Sequence, residues 1–213
     1  LHRRRRTALL LSAAIAAAPL LTACGSDAHP GAAAVVDGRR ITVGELQSRV
    51  AEVRSAQRAA VQDDTQYAQV VANTGSLTRD TLHEMVLDEV LHRTAQDAGV
   101  TVSRSEVQRE RAGLEQQAGG SKALESVWLQ RYGIAPERLD DNLRLQVEAS
   151  KLATVLGTQV SEPAFWKALS DKSKQLGVDL NPRYGTWDVQ KSGVEAKAPW
   201  VKDVTAAESQ QTA

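Results

Sequence analysis

Apolar residues recur along this chain at steps of three and four, broken at glycines, and the rhythm predicts a helical domain with short extended segments at its ends. Val43, Leu46, Val50 and Val53 form one stripe that runs to about residue 61. Thr42-Val43-Gly44-Glu45 opens it as a capping box, in which hydroxyl and carboxylate each satisfy a free backbone N–H. Residues 63–76, with Asn73-Thr74-Gly75, read as a break or an extended loop. The next helix spans 78–98 and stops at Gly99. Its apolar set, Leu82, Met85, Val86, Leu87, Val90 and Leu91, is wide enough to meet neighbours on two sides, which makes it the central helix.

A second capping box, Ser103 to Glu106, opens a helix with Val107 and Leu114 that stops near Gly119-Gly120. A short helix over 121–132 closes at Gly133. Pro136 suits the first turn of a helix continuing through Leu139, Leu143, Val147 and Val155 to Gly157. The last helix follows Ser161-Glu162-Pro163, carries Phe165, Trp166, Leu169 and Leu176, and ends at Gly177. Flanking these are β-type segments: Ala33 to Val36 with a turn at Asp37-Gly38 and a return through Ile41, then Val178-Asp179-Leu180, a turn at Asn181 to Gly185, and 186–189. Strands this short do not persist alone. Val35 and Val36 are therefore expected to share one small sheet with Val178, Leu180 or Trp187, resting on the first and last helices.

The amino terminus breaks the pattern. Arg3 to Arg6 precede an apolar run over 7–21, shorter than the roughly 20 residues of a spanning helix, and Leu21-Thr22-Ala23-Cys24 looks like a bacterial lipobox. Residues 1–23 thus read as a lipoprotein signal peptide, Cys24 as the lipidation site, 24–34 as a tether, 35–190 as the domain and 191–213 as a flexible tail. The expected location is the outer face of a bacterial cell membrane, anchored without spanning. Cys24 is the one cysteine, so its acylation would leave no disulfide, thiolate ligand or cysteine nucleophile. Loss of residues 1–23 leaves 22 basic residues against 26 acidic, a formal −4. A nucleic-acid partner, which needs a clustered basic face, does not fit that balance.

Candidate chemistry is sparse. His83-Glu84 opens like the zincin His-Glu-x-x-His, but Leu87 stands where the second histidine belongs. His83 and His92 fall on opposite faces of one helix and cannot share a metal. No metal, no cofactor and no enzymatic activity are expected. Most carboxylates sit beside Arg or Lys and read as solvated helix surface. Among the few aromatics, Trp128, Tyr132, Phe165 and Trp166 occupy apolar helical positions and serve either the core or a groove for a polypeptide, and Met85 is an adaptable candidate contact. Tyr184 and Trp187 would pin the closing strand onto the helices.

The order of these motifs resembles the SurA N-terminal domain family of extracytoplasmic chaperones, relatives of PrsA-type foldases and of the trigger-factor substrate-binding region. The resemblance is carried by Ala34 to Thr42 as the opening strand and cap, Leu82 to Leu91 as its conserved-pattern helix, the Ala95 to Val107 joint, Arg131-Tyr132-Gly133-Ile134, and the closing Asn181-Pro182-Arg183-Tyr184-Gly185-Thr186-Trp187-Asp188. It implies a mainly α, multi-helix chaperone cradle with a small β unit joining the N- and C-terminal segments, binding unfolded exported polypeptides. Such relatives commonly insert a parvulin-type prolyl isomerase domain before the closing segment. Here only residues 157–177 lie there, too few for one. The expected function is that of a lipid-anchored holdase or foldase; a structural or assembly lipoprotein with one specific envelope partner is the alternative.

Overall fold

A computed structural model describes residues 30–188 and 193–195. Cys24, the segment expected as a signal peptide and most of the expected tail lie outside the described residues.

The fold opens with a hairpin, β1 (Ala32–Val36) and β2 (Arg39–Thr42), paired antiparallel with Val36 opposite Arg39. Its two-residue turn places Asp37 at φ 51° and Gly38 at φ 75°, the left-handed pair that the twist of a tight hairpin demands. Thr42 then caps α1 (Val43–Ala60): its hydroxyl accepts from Glu45 N at 3.0 Å while Glu45 Oε2 accepts from Thr42 N at 2.6 Å. The helices α3 (Leu77–Asp97), α4 (Arg104–Ala118), α5 (Ser121–Tyr132), α6 (Leu139–Val155) and α7 (Pro163–Leu176) follow the predicted stripes. Pro136 sits in a separate 3-10 turn, Pro136–Arg138, that leads into α6 rather than belonging to its first α-turn.

One helix was not foreseen. Residues 64–73, expected as a break or loop, form α2 (Asp64–Asn73), capped by Asp63, whose carboxylate accepts from Gln66 N at 2.8 Å. Its apolar positions Tyr67, Val70 and Val71 stand at helical spacing, but none is buried, and the Asn73-Thr74-Gly75 break outweighed so short a stripe. Two arginines of α1 hold it instead. Arg58 donates to Asp64 Oδ1 at 2.5 Å and to Asp63 O at 3.2 Å, and Arg54 donates to Thr74 O at 3.0 Å at the other end.

The sheet is completed from the far end of the chain, as expected. β3 (Asp179–Leu180) pairs antiparallel with β1, Ala34 opposite Leu180 and Val35 opposite Asp179, giving the order β2-β1-β3. Trp187 is not part of it. Its strand β4 (Thr186–Asp188) pairs with β5 (Gly193–Glu195), a strand inside the segment expected as tail. The surface beneath the sheet also differs from expectation: Leu46 of α1 and Leu82, Val86 and Val90 of α3 underlie Ala34, Val36, Ile41 and Leu180, whereas α7 reaches this core through Leu176 at its end. Fully burying a side chain of this size is worth about 1.5–3 kcal/mol, so the face of α3 anchors the sheet.

The same helix packs Leu91 and Ala95 against Leu152 of α6 and Phe165 and Leu169 of α7, and Leu77 against Val53 and Leu129. A further core joins Val107, Leu124, Trp128, Leu139 and Leu143 of α4, α5 and α6. α3 is the central helix. The fold is mainly helical with a small β unit that ties the two ends together.

Candidate functional site

Where α1 ends, α3 begins and α5 stops, their ends fail to close on one another and leave a cleft of about 570 Å³. Leu77 and Leu129 form its floor, Val61 and Val70 line its sides together with polar Gln57, Asn73 and Asp80, and Tyr132 stands at its edge with 47 % of its surface exposed. An exposed tyrosine above buried leucines is a surface that can accept an apolar group from outside. Tyr132 is held in place from behind. Its ring lies 5.4 Å from that of Trp128 in an edge-on arrangement, and Trp128 is locked by donating its indole N–H to Asn142 Oδ1 at 3.0 Å. Gly133 ends α5 at φ 67°, and the turn returns Ile134 N to Trp128 O at 3.2 Å. One wall of the cleft is α2, which is tied by arginines rather than by a core and so is the wall with least packing to resist displacement.

A second cleft, of about 520 Å³, is charged. It lies between α1, α3 and α6, with β2 at one end, and Arg39, Arg49, Arg93 and Arg144 share its lining with Asp88, Glu89, Asp141 and His92. Glu89, nearly buried, accepts from Arg39 Nη1 and from Arg93 Nε at 2.9 Å each. Behind it Glu148 is 2 % exposed, with Oε1 3.0 Å from His92 Nδ1 and Oε2 without a hydrogen-bond partner among the described residues. Burial pushes the Asp88 carboxyl up to about 7, with Asp141 and Glu148 adding to the rise and Arg49 and Arg144 opposing it. One turn earlier, burial followed by the charges of Asp88 and Asp80 pushes Glu84 up to about 7 as well.

The residues singled out in the sequence do not converge on one site. Tyr132 lines the apolar cleft and Met85 the charged one, half-buried against the sheet core. Phe165 is 1 % exposed and Trp128 9 %, so both are core residues and are removed from the set of surface contacts. Trp166, 39 % exposed, stacks edge-on against Phe165 at 5.6 Å and lines neither cleft. Tyr184 and Trp187 pack against the sheet core, the indole N–H of Trp187 donating to Ser173 Oγ at 2.5 Å, so they do pin the closing segment. His83 lies 5.6 Å from the Trp187 ring and His92 on Glu148, and among the described residues no group of three His, Cys, Asp or Glu is placed to hold a metal ion. Among the described residues no helix is long and apolar enough to cross a membrane.

The charged cleft was missed in the sequence, because Glu89 and Glu148 read as solvated surface and are buried. The available signal was Glu84 and Asp88, two acids one turn apart within the broad apolar face of α3.

The model of one family, the SurA-like N-terminal domain, matches residues 3–153, which takes in the hairpin and the helices as far as the last turn of α6. No curated protein and no solved structure matches the chain.

Proposed function

The chain belongs to the SurA-like N-terminal domain family, and from that membership we propose that it is an extracytoplasmic chaperone that holds unfolded exported polypeptides at the outer face of a bacterial membrane. The observation that carries this reading is the open cleft with an apolar floor of Leu77 and Leu129, a partly polar rim and Tyr132 exposed at its edge. Weak apolar contact with many sequences needs such a surface, and it needs no catalytic group. The proposed protein is not an enzyme. The span between α6 and β3, where relatives carry a prolyl isomerase, is taken up by α7 and two short connections, which supports a chaperone without isomerase activity. Attachment through a lipid on Cys24 would hold the cleft close to where exported chains emerge.

The test uses the full chain reconstituted in phosphatidylcholine vesicles and an unfolded test protein. Near-stoichiometric chain is expected to slow aggregation, Tyr132→Asp is expected to lose most of that effect while keeping its thermal transition, and prolyl isomerisation of a short peptide is expected to proceed at its uncatalysed rate. Unslowed aggregation would point to an assembly protein with one specific partner, and catalysed isomerisation would overturn the reading of the α6–β3 span.

A further inference from the structure

We propose that the charged cleft between α1, α3 and α6 is a second binding site, specific for a carboxylate on an acidic polypeptide segment, held by Arg49 and Arg144. The chaperone reading enters only in the choice of a polypeptide as ligand.

Four guanidinium groups face this cleft, and they are not equivalent. Arg39 and Arg93 are already satisfied by Glu89, each at 2.9 Å. Arg49 of α1 and Arg144 of α6 line the same cavity from different helices; among the described residues neither has a hydrogen bond or an ion-pair contact, and the acid both of them face is Asp88. With Glu148 counted behind the lining, Asp88, Glu89, Asp141 and Glu148 balance the four arginines, and the cleft becomes one charge positive when Asp88 takes up a proton. A recess that turns net positive when Asp88 is protonated, and whose two guanidinium groups on α1 and α6 have no hydrogen bond among the described residues, is complementary to a carboxylate, which a guanidinium can grip through two parallel N–H groups. Met85 and Leu145 line the same cavity and give apolar contact to the methylene stem of a Glu or Asp side chain. The recess between three helices suits a side chain of an extended segment better than the flat array of headgroups at a membrane surface.

Asp88 gives the site a pH signature. It faces Arg49 from α1, Asp141, Arg144 and Glu148 from α6, and shares its own helix with Glu84, Glu89 and His92, while Arg39 of β2 closes the end. Protonated, it stops competing for the two arginines and becomes an O–H donor to an incoming carboxylate. A bound carboxylate in turn favours the protonated form, so binding takes up a proton and tightens as pH falls from 8 to 6.

The experiment measures anisotropy of a fluorescein-labelled Glu-Gly-Ser repeat peptide added to the full chain in phosphatidylcholine vesicles, with a Gln-Gly-Ser peptide as control. The Glu peptide is expected to bind at least tenfold more tightly than the Gln peptide, and several-fold more tightly at pH 6 than at pH 8. The paired substitution Arg49→Gln and Arg144→Gln should remove at least tenfold of that affinity, the exposed single change Arg144→Gln a part of it, and Asp88→Asn should keep binding while flattening its pH dependence. Equal binding of the two peptides, or undiminished binding by both the double and the single variant, overturns the proposal. So does binding of phosphatidylglycerol vesicles that depends on Arg49 and Arg144 and displaces the peptide, which would assign the cleft to lipid. Aggregation suppression through Tyr132 is read separately and survives a negative result here.

Discussion

Asn181 reaches back 149 positions along the chain to Ala32: its side-chain amide donates to the Ala32 carbonyl at 3.1 Å, and its backbone N–H donates to Ala33 O at 2.9 Å. Two short end segments are thereby held as one sheet. Truncation after Gly177 removes this clamp together with Leu180 and Trp187, whose burial is worth about 2 kcal/mol each. The truncated chain is expected to melt roughly 10 °C below the full chain by calorimetry, taking about 2–4 °C per kcal/mol for a domain of this size. The single change Asn181→Ala leaves the buried Ala32 carbonyl short of a donor and should cost about 1–3 kcal/mol in denaturant unfolding.

Phe165 and Trp166 are neighbours in sequence with opposite environments, 1 % and 39 % exposed. Phe165→Ala opens a cavity between α3, α6 and α7 and is expected to cost about 3–5 kcal/mol in urea unfolding. Trp166→Ala removes an edge-on ring contact at 5.6 Å and is expected to cost about 1 kcal/mol. A comparable loss at the two positions would contradict the packing described for α7.

What the sequence disclosed follows from how local each signal is. The Asp37-Gly38 turn, the two capping boxes and the glycines that stop α4, α5 and α7 in the left-handed conformation act within a few residues, and each stands where it was read. α2 was missed because its Tyr67, Val70 and Val71 stripe is short and stays unburied, and the helix is held by Arg54 and Arg58 from another helix. Of the three alternatives for the sheet partner Leu180 is the one that pairs, and the pairing of Trp187 with β5 went unread because a strand in a polar segment leaves no periodic mark. Of the candidate contacts, exposure at Tyr132 and burial at Phe165 and Trp128 are decided by which neighbours arrive, and an apolar helical position alone does not distinguish them. Arg49, Asp88 and Arg144 meet only in the folded chain.

Arg138 forks onto Glu52 through Nε and Nη2 at 2.8 Å each, joining the turn before α6 to α1 across 86 positions. Because both bonds use the planar guanidinium, Arg138→Lys keeps the charge and loses one of them. At this half-exposed site the loss should be about 0.5–1 kcal/mol, and Glu52→Gln in the Lys background should add little further. A double-mutant cycle measured by urea unfolding checks the coupling.

The proposed anchor makes a separate demand on Cys24, the one residue able to carry a thioether-linked lipid. Cys24→Ala is expected to abolish incorporation of labelled fatty acid and to leave the chain unprocessed or released from the membrane fraction. Label retained by the Ala variant would defeat the lipobox reading.

Stability should depend on pH with opposite signs at two groups of carboxylates. Glu106 is held down at about 2 by the hydrogen bond from Lys151 Nζ and those from Ser103, so its contribution is present above the ordinary Glu range and disappears as pH falls through about 2. Glu84 runs the other way. Burial holds its carboxyl up at about 7, so the native state binds more protons than the unfolded chain between about 4.5 and 7, and stability declines as pH rises through that window. Above 7 the full penalty of an ionised, desolvated carboxylate is present, on the order of 1 kcal/mol once its partial exposure to solvent is allowed for. Glu84→Gln removes the titration while keeping the shape. It is expected to raise the melting temperature by about 2–4 °C at pH 8 and to leave it unchanged at pH 4, as followed by circular dichroism across the range. An equal shift at both pH values would show that the substitution acts through packing and not through the proton.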